Sequence, residues 1–165
     1  MDRAELEAAF SEYVRSVASI ARSGDWARFA DLFVEDADYC EHAYGNFSGR
    51  DEIRPWIIKT MTTFPGNEMV DFPAAWSVLD PGQGRVVCEI RNIMRDPGDG
   101  SVHEASNITI LDYAGDGLWA REEDVYNPQK FADMVRGWAV VARDHGTLGD
   151  DGLRMLAFLE PNRSA

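Results

Sequence analysis

Three short segments near the N-terminus decide the fold: residues 24–33 (GDWARFADLF), 36–42 (DADYCEH) and 49–53 (GRDEI). In the first, Asp25 can cap a helix whose apolar residues share one face. The second alternates in the manner of a strand over residues 37–42 and carries an acid, Glu41, at an inward position. The third begins another helix. Together they predict a short helix, a strand with an inward acid and a second helix entry.

Helices are also predicted on both sides of these segments. Residues 5–22 repeat apolar side chains at helical spacing, and Gly24 ends the run. The helix that begins near Gly49 ends at residues 65–67, where Pro and Gly interrupt it. Pro128 opens a final helix with one apolar side.

Four strands are predicted between the third helix and the final one. Short connections rich in Gly, Pro and Asp separate them, which is typical of an antiparallel meander. Helices followed by strands and a closing helix describe an α+β domain, in which the helices cover one sheet face and a strongly bent sheet leaves a pocket. The predicted strands are residues 68–79, 84–95, 102–113 and 117–126.

The length of 165 residues fits one domain with a substantial core. We assign residues 1–145 to that domain. Residues 146–165 form a Gly- and Asp-rich tail, which is not a separate domain and can carry a short helix over residues 153–159.

Charge and motifs exclude several classes of function. The net charge is −13 and the 16 basic residues are scattered, which disfavours nucleic acid. We expect a cytoplasmic protein, because no apolar run approaches the roughly 20 residues of a membrane span and the N-terminus is acidic. Cys40 and Cys88 lie in strand-like patterns and are expected to be reduced core thiols. No common metal or nucleotide motif is present, so we expect no metal and no cofactor.

The order of segments around residues 24–53 resembles the opening of the SnoaL-like branch of the nuclear transport factor 2-like superfamily. The resemblance covers roughly residues 5–140. It implies a cone-shaped, strongly curved, mostly antiparallel sheet, wrapped by N-terminal helices around a single deep pocket. The same cone houses isomerases, dehydratases, cyclases, epoxide hydrolases and inert binding domains, so the fold alone does not fix the chemistry.

Strand alternation in residues 85–95 gives one polar candidate. Asn92 is the only strongly polar residue on an otherwise apolar face. A buried amide without a partner costs about 1–3 kcal/mol, so Asn92 either ties down a neighbouring strand or contacts a ligand. The apolar residues that share its face are Val86, Cys88, Ile90 and Met94.

For residues 102–113 alternation is ambiguous, and the resemblance decides. Counting from the turn at residues 115–117 places His103, Asn107 and Thr109 in the pocket. Thr109 falls where steroid isomerases of this fold carry a protonated aspartate. His103 is the best catalytic candidate among the three histidines, because it can act as acid or base near pH 7.

The same count places Glu122, Asp124 and Tyr126 inward on the following strand. Asp124 falls where members similar to limonene-epoxide hydrolase hold a general acid. Two inward acids on one strand repel each other unless one is protonated or paired.

Residues 35–42 are similar to the steroid isomerase segment that ends in the catalytic base, and Glu41 takes the place of that base. Tyr39 shares its face. The alternative is that Glu41 lies at the rim and is paired with a cation such as Arg50. Trp56 is either a core aromatic residue or part of the pocket wall.

Departures from the families that the chain resembles are equally informative. The steroid isomerase tyrosine and aspartate correspond to Val17 and Thr109, which argues against that mechanism. The arginine and aspartate of the epoxide hydrolases correspond to Ile90 and Asn92, so that triad is incomplete.

The leading hypothesis is a cofactor-free enzyme that moves a proton on an apolar, carbonyl-bearing molecule of polyketide, terpenoid or steroid type. Such a dehydratase, isomerase or cyclase would use side chains alone. The base would be Glu41 or His103, the oxygen would be polarised by Asn92, Asn107 or Tyr39, and Asp124 with Tyr126 would donate or orient.

The alternative hypothesis is a ligand-binding or assembly domain without catalysis. In either case we expect a homodimer through the outer face of the sheet, where apolar strand surface marks an interface. The residues assigned to that face are Val87, Arg91, Ile93 and Trp119.

Overall fold

The computed structural model describes residues 2–159. Over this range the chain forms a sheet of seven strands with four α-helices and two short 3₁₀ helices. The α-helices are α1 (Arg3–Ser23), α2 (Arg50–Thr62), α3 (Pro128–Asp144) and α4 (Asp150–Leu159). The strands are β1 (Phe33–Glu41), β2 (Gly45–Ser48), β3 (Met69–Asp71), β4 (Ala74–Asp80), β5 (Arg85–Met94), β6 (Glu104–Gly115) and β7 (Leu118–Val125). The 3₁₀ helices are Trp26–Leu32 and Gly66–Glu68.

The sheet is mixed and open. Its strand order is β2-β1-β7-β6-β5-β3, and β4 also pairs with β5. Strands β5, β6 and β7 form an antiparallel meander, whereas β1 runs parallel to β7. The helices cover the inner face of this sheet. The predicted α+β cone is confirmed.

The predicted strand over residues 68–79 is divided in two. Pro73 lies between β3 and β4, and a proline has no backbone N–H for a sheet ladder. Both short strands pair with β5, at different places along its length. The carbonyl of Pro73 still accepts a hydrogen bond from the backbone N–H of Arg91 at 3.0 Å.

The region around β1 also differs from the sequence prediction. Residues 26–32 form a 3₁₀ helix, and Asp25 makes no side-chain capping hydrogen bond there. Strand β1 begins at Phe33, four residues before the predicted start. Residues 43–48, which carry the Gly and Asn typical of a loop, contain β2, and this strand forms a hairpin with β1.

Helix α1 is defined at both ends by local interactions. The Asp2 side chain accepts a hydrogen bond from the backbone N–H of Ala4 at 3.3 Å. Gly24 ends the helix with φ of 71°, a left-handed conformation that glycine adopts without strain. The face that α1 buries is Leu6, Ala9, Phe10, Tyr13, Val17 and Ile20.

A second, smaller core joins α3 and α4 to one end of the sheet. Trp138 is fully buried there, and its indole N–H donates to the carbonyl of Arg95 at 2.8 Å. Leu156 of α4 is buried against the same cluster. Helix α4 belongs to the predicted tail, and the rest of that tail, residues 160–165, lies outside the described residues.

The sequence pattern placed Trp119 on the outer face of the sheet, and the structure shows that this placement is wrong. Trp119 is only 1% exposed and packs edge-on against Tyr13 at a centroid distance of 5.8 Å. The register between β6 and β7 shifts near Tyr113, so alternation counted along β7 fails at Trp119.

Among residues 2–159, none of the helices combines the length and the apolarity that crossing a bilayer requires.

Gly66 is predicted to be essential for stability. A Cβ at this position would lie 2.1 Å from the backbone carbonyl oxygen of Thr60, so the chain must shift to accept it. We expect Gly66→Ala to lower the free energy of unfolding by about 1–3 kcal/mol in urea titrations.

Gly149→Ala is the matched control, because nothing lies within 4 Å of its added Cβ. We expect a change within about 0.5 kcal/mol. Equal stability of the two variants would contradict this account of Gly66.

Candidate active site

A cavity of about 840 Å³ lies between the inner face of the sheet and the helices. This volume suits a small organic ligand. Its wall is mainly aromatic and aliphatic, with a few polar side chains. The aromatic residues that line it are Tyr13, Trp26, Phe29, Tyr39, Tyr44, Phe47, Trp56, Phe64, Phe72, Tyr126 and Phe131.

The parallel pairing of β1 with β7 brings acidic side chains together. Tyr39 lies opposite Glu122, and Glu41 lies opposite Asp124. Because alternate residues of a strand share a face, all four side chains point inward. Three carboxyl groups, those of Glu41, Glu122 and Asp124, therefore line one cavity.

The hydroxyl of Tyr39 joins two of these carboxyl groups. Its oxygen lies 2.5 Å from Oδ2 of Asp124 and 3.1 Å from Oε1 of Glu122. Tyr39 is only 3% exposed, and burial beside the two acids raises its pKa well above the ordinary value. The hydroxyl therefore stays protonated.

Asp124 receives two further hydrogen bonds from β6. The amide of Asn107 donates to its Oδ1 at 2.7 Å, and the hydroxyl of Thr109 donates to the same oxygen at 2.6 Å. Burial raises the pKa of Asp124 above its ordinary value overall, and the hydrogen bonds from Thr109, Tyr39 and Asn107 offset only part of that rise. These donors favour the ionised form of Asp124.

Glu122 has a different environment. Its Oε2 accepts a hydrogen bond from the hydroxyl of Tyr13 at 2.8 Å, and its side chain is nearly inaccessible. Burial is the main cause that raises its pKa well above 4.5, and the charge of Asp124 adds to the effect.

The hydrogen bonds of this network indicate that Glu122 and Asp124 together hold one proton, in addition to the hydroxyl proton of Tyr39. The single hydroxyl proton of Tyr39 can make one strong hydrogen bond, and the short contact is to Asp124. The contact with Glu122 is then best made by a proton on Glu122, donated to the Tyr39 oxygen. One arrangement that satisfies every group has Glu122 neutral and Asp124 ionised, and we assign it because Asp124 receives more hydrogen bonds from donors.

Asn92 extends the network across β5 and β6. Its amide donates to Oδ1 of Asn107 at 2.7 Å and to the carbonyl of Ala105 at 3.1 Å. Asn92 also lines the cavity. It therefore ties two strands together, as one of the two sequence interpretations expected, while its side chain still borders the ligand space.

Glu41 is buried rather than at the rim. It is 5% exposed, and its Oε2 accepts hydrogen bonds from the backbone N–H groups of Ala43 at 2.7 Å and Tyr44 at 2.6 Å. Arg50 does not pair with it, because the guanidinium donates to the carbonyl of Phe33. The alternative of a surface ion pair is therefore wrong.

Tyr126 lies beside Glu41. Burial, together with a hydrogen bond to the Glu41 carboxylate, raises the pKa of Tyr126. Its ring packs against Phe131 of α3 at a centroid distance of 4.7 Å. Glu41 and Tyr126 therefore form a second polar group in the cavity, next to the network around Tyr39.

Trp56 contributes an unsatisfied donor. Its ring contacts Tyr39 and Phe47 at centroid distances of 4.7 Å, and it lines the cavity. Its indole nitrogen is the one buried side-chain polar atom among residues 2–159 without a hydrogen-bond partner. Such groups are rare in folded proteins and call for an explanation.

His103 is not brought to the site. It precedes β6, so the alternation used to place it inward does not extend to it. Its Nε2 lies 3.1 Å from the hydroxyl of Ser101, and its ring lies near Gly137 of α3, away from the cavity. Thr109 is also absent from the cavity wall, although it is buried directly behind Asp124.

Two members of the network were missing from the predicted site. Glu122 was recognised as inward but not assigned a role, and Tyr13 was interpreted only as part of an apolar helix face. The sequence did indicate a role for Tyr13, because a tyrosine on the apolar face of a helix is buried and its hydroxyl then needs a hydrogen-bond partner. Tyr13 lies one helical turn before Val17, so α1 does supply a tyrosine to the pocket.

Comparison with known proteins identifies the architecture. The sequence matches no protein-family model and no curated protein. A Catenulispora acidiphila protein with a ketosteroid isomerase-like fold, in complex with trimethylamine, superposes with a TM-score of 0.55 and 21% identity, covering 70% of this chain and 85% of that one. A candidate polyketide cyclase from Xanthomonas campestris superposes with a TM-score of 0.58 and 16% sequence identity, covering 80% of this chain and 97% of that one. An Anabaena variabilis protein described as NTF2-like superposes with a TM-score of 0.57 and 13% identity, covering 77% of this chain and 93% of that one. The chain has the nuclear transport factor 2-like fold.

Within this nuclear transport factor 2-like fold, the inner sheet face of the chain carries the part of the network that runs from Asn92 to Glu122. The helices add Tyr13 and Trp56. The predicted residues that meet at the cavity wall are Tyr39, Glu41, Trp56, Asn92, Asn107, Asp124 and Tyr126.

The raised pKa of Glu122 predicts a specific dependence of stability on pH. The folded protein holds the Glu122 proton above pH 4.5, whereas the unfolded chain releases it near that value. The stability that this proton contributes is complete below pH 4.5 and is lost as pH rises toward the folded-state pKa. In Glu122→Gln this loss is absent.

We therefore subtract the unfolding free energy of Glu122→Gln from that of the wild type. This value should fall from pH 5 to 8, by at most about 1.4 kcal/mol for each pH unit. Urea titrations at several pH values measure it. If this value, wild type minus variant, stays constant or rises with pH, Glu122 is ionised in the folded state.

Proposed function

We propose that the protein is an enzyme that transfers a proton on an apolar, carbonyl-bearing small molecule, as dehydratases, isomerases and cyclases do. The observation that carries this proposal is the pair of polar groups in one apolar cavity. One is the buried carboxyl group of Glu41, and the other is the Tyr39–Asp124–Glu122 network, to which we assign an extra proton.

Glu41 is the proposed general base. Two backbone N–H groups hold one of its oxygens, which fixes the direction of the carboxyl group. A carboxylate positioned in this way at an apolar wall can remove a proton from a carbon next to a carbonyl. Tyr126 is proposed to orient it.

The acid function is assigned to the network. Asp124 is next to Glu41 across the β1–β7 ladder, and Tyr39 connects it to Glu122. A proton held by Glu122 can reach the position of Asp124 through the Tyr39 hydroxyl, with each oxygen accepting one proton as it releases another. Proton removal at Glu41 and proton delivery at Asp124 would then occur side by side.

Trp56 is proposed to bind the substrate oxygen after a shift of its ring, because its indole N–H is buried in this structure. The amide donors of Asn92 and Asn107 and the hydroxyl of Tyr39 are all committed to protein acceptors, whereas the indole N–H of Trp56 is not. A carbonyl oxygen of the ligand would supply the missing acceptor. This moves the polarising role away from the residues that the sequence suggested.

A binding domain without catalysis is the second candidate. One observation favours it: the network is satisfied by its own members, so it can exist for stability alone. The two candidates differ in whether Glu41 exchanges protons with a ligand.

Glu41→Gln tests the base directly. Mass spectrometry of solvent-deuterium incorporation into a panel of apolar ketones with two to four fused rings gives the readout. We expect exchange by the wild type, and a loss of about 10²–10⁴-fold in Glu41→Gln with similar ketone affinity, because the amide keeps its size but lacks the basic oxygen.

Glu35→Gln is the matched control, because Glu35 lies on the same strand and is exposed. Its rate should equal that of the wild type. Binding of the ketones without any exchange by the wild type would favour the binding domain, and full activity of Glu41→Gln would remove Glu41 as the base.

We also propose a homodimer through the outer face of the sheet. Apolar side chains on the short edge strands are exposed, with Val78 at 61%, Trp76 at 46% and Val70 at 45%. Val87 and Ile93 of β5 are half-buried on the adjacent strand. Exposed apolar surface of this kind is typical of interfaces.

Val78→Asp is expected to convert the dimer into a monomer in sedimentation velocity at micromolar concentration, because it places a charge in the proposed interface. Val102→Asp is the control, since Val102 is 69% exposed but precedes β6. A monomeric wild type, or equal association of the two variants, would contradict the proposal.

A further inference from the structure

The outer face of the β1–β7 pair carries a second cluster of reactive side chains. Cys40 alternates with Tyr39 and Glu41, so it points away from the cavity, and His42 follows on the same side. Cys40 lies opposite Glu123 in the ladder. The candidate ligand atoms of these three residues lie within 4.8 Å of one another.

The types of donor suit a thiophilic divalent cation. A thiolate, an imidazole and a carboxylate are the ligands that Zn²⁺ takes in proteins, at about 2.0–2.3 Å. Ligand atoms in such a tetrahedral site are about 3.3–3.8 Å apart. The present spacing of up to 4.8 Å exceeds that geometry by about 1–1.5 Å, so the three side chains must move closer together to hold a cation.

The carboxylate of Glu123 is already oriented to bind a cation. Its Oε1 lies 2.9 Å from Nε2 of His42, while its Oε2 accepts a hydrogen bond from Arg121. Arg121 also lies 3.9 Å from Asp112, which shares its positive charge. Arg121 can therefore hold one oxygen of Glu123 as an outer partner and leave the other for a cation.

The cluster is accessible. The His42 side chain is 49% exposed. A shallow depression of about 370 Å³ borders the cluster and is lined in part by Cys40 and Arg121. Cys40 is a free thiol and only half-buried, so it is not the core thiol that the sequence predicted. Cys88, by contrast, is fully buried, and burial raises its pKa to about 12.

We propose that Cys40, His42 and Glu123 form a binding site for a Zn²⁺-like divalent cation, with a fourth position open to solvent. This site is separate from the proposed active site and does not depend on it. Binding would release the thiol proton and join the end of β1 to β7. It would also restrain the turn whose backbone N–H groups, at Ala43 and Tyr44, hold Glu41.

The test uses the full-length protein after treatment with a chelator. Titration with Co²⁺ should produce the near-ultraviolet sulfur-to-cobalt charge-transfer band, and Zn²⁺ should displace the Co²⁺. Zn²⁺ should also raise the melting temperature of the wild type. Absence of the sulfur band in the wild type would overturn the proposal.

Variants locate the site. Cys40→Ser should abolish the band and the effect of Zn²⁺ on the melting temperature. His42→Gln and Glu123→Gln should each weaken Co²⁺ binding at least about tenfold, the loss that even an outer-shell partner causes. His145→Gln, a histidine outside the cluster, should bind as the wild type does.

Circular dichroism of each variant verifies folding before titration. Persistence of the band in Cys40→Ser would place the sulfur ligand elsewhere, and unchanged affinity in both His42→Gln and Glu123→Gln would exclude the cluster. Either result would overturn the assignment.

Discussion

The parallel pairing of β1 with β7 is the constraint on which the rest of the structure depends. It joins a strand near the N-terminus to one near the end of the meander, and it fixes the register that sets Tyr39 opposite Glu122 and Glu41 opposite Asp124. A slip of one residue would turn every one of these side chains to the other face. The hairpin with β2 on one side and β6 on the other holds the register in place.

Burying two acids beside each other is costly, and the structure offsets the cost with donors rather than with cations. Tyr13 comes from α1, Tyr39 from β1, and Asn107 from β6, so the network connects three parts of the chain. In a medium of low polarity these hydrogen bonds strengthen one another, and the loss of any one leaves a charged or polar group exposed to an apolar wall. The same network that serves as the proposed acid therefore also specifies how α1 sits on the sheet.

The sequence predicted the architecture and several polar residues of the cavity wall, because both depend on local periodicity and on the position of turns. Glu41, Asn92 and Asp124 were placed correctly, since they lie within long regular strands. His103 and Trp119 were misplaced for a common reason: alternation cannot reveal where a strand begins or where its register shifts. The hydrogen bonds of the Tyr39 hydroxyl with the two acids join residues 83 and 85 positions apart, which no local pattern contains.

Helix α4 closes part of the cavity with Met155 and Leu159, although it follows the last strand by more than 20 residues. None of its residues takes part in the polar network. The size of the ligand space and the chemistry at its base are thus encoded in different segments of the gene. Substitutions in α4 can reshape the space for a new molecule while the acids stay in register, which gives this small domain a simple route to new specificities.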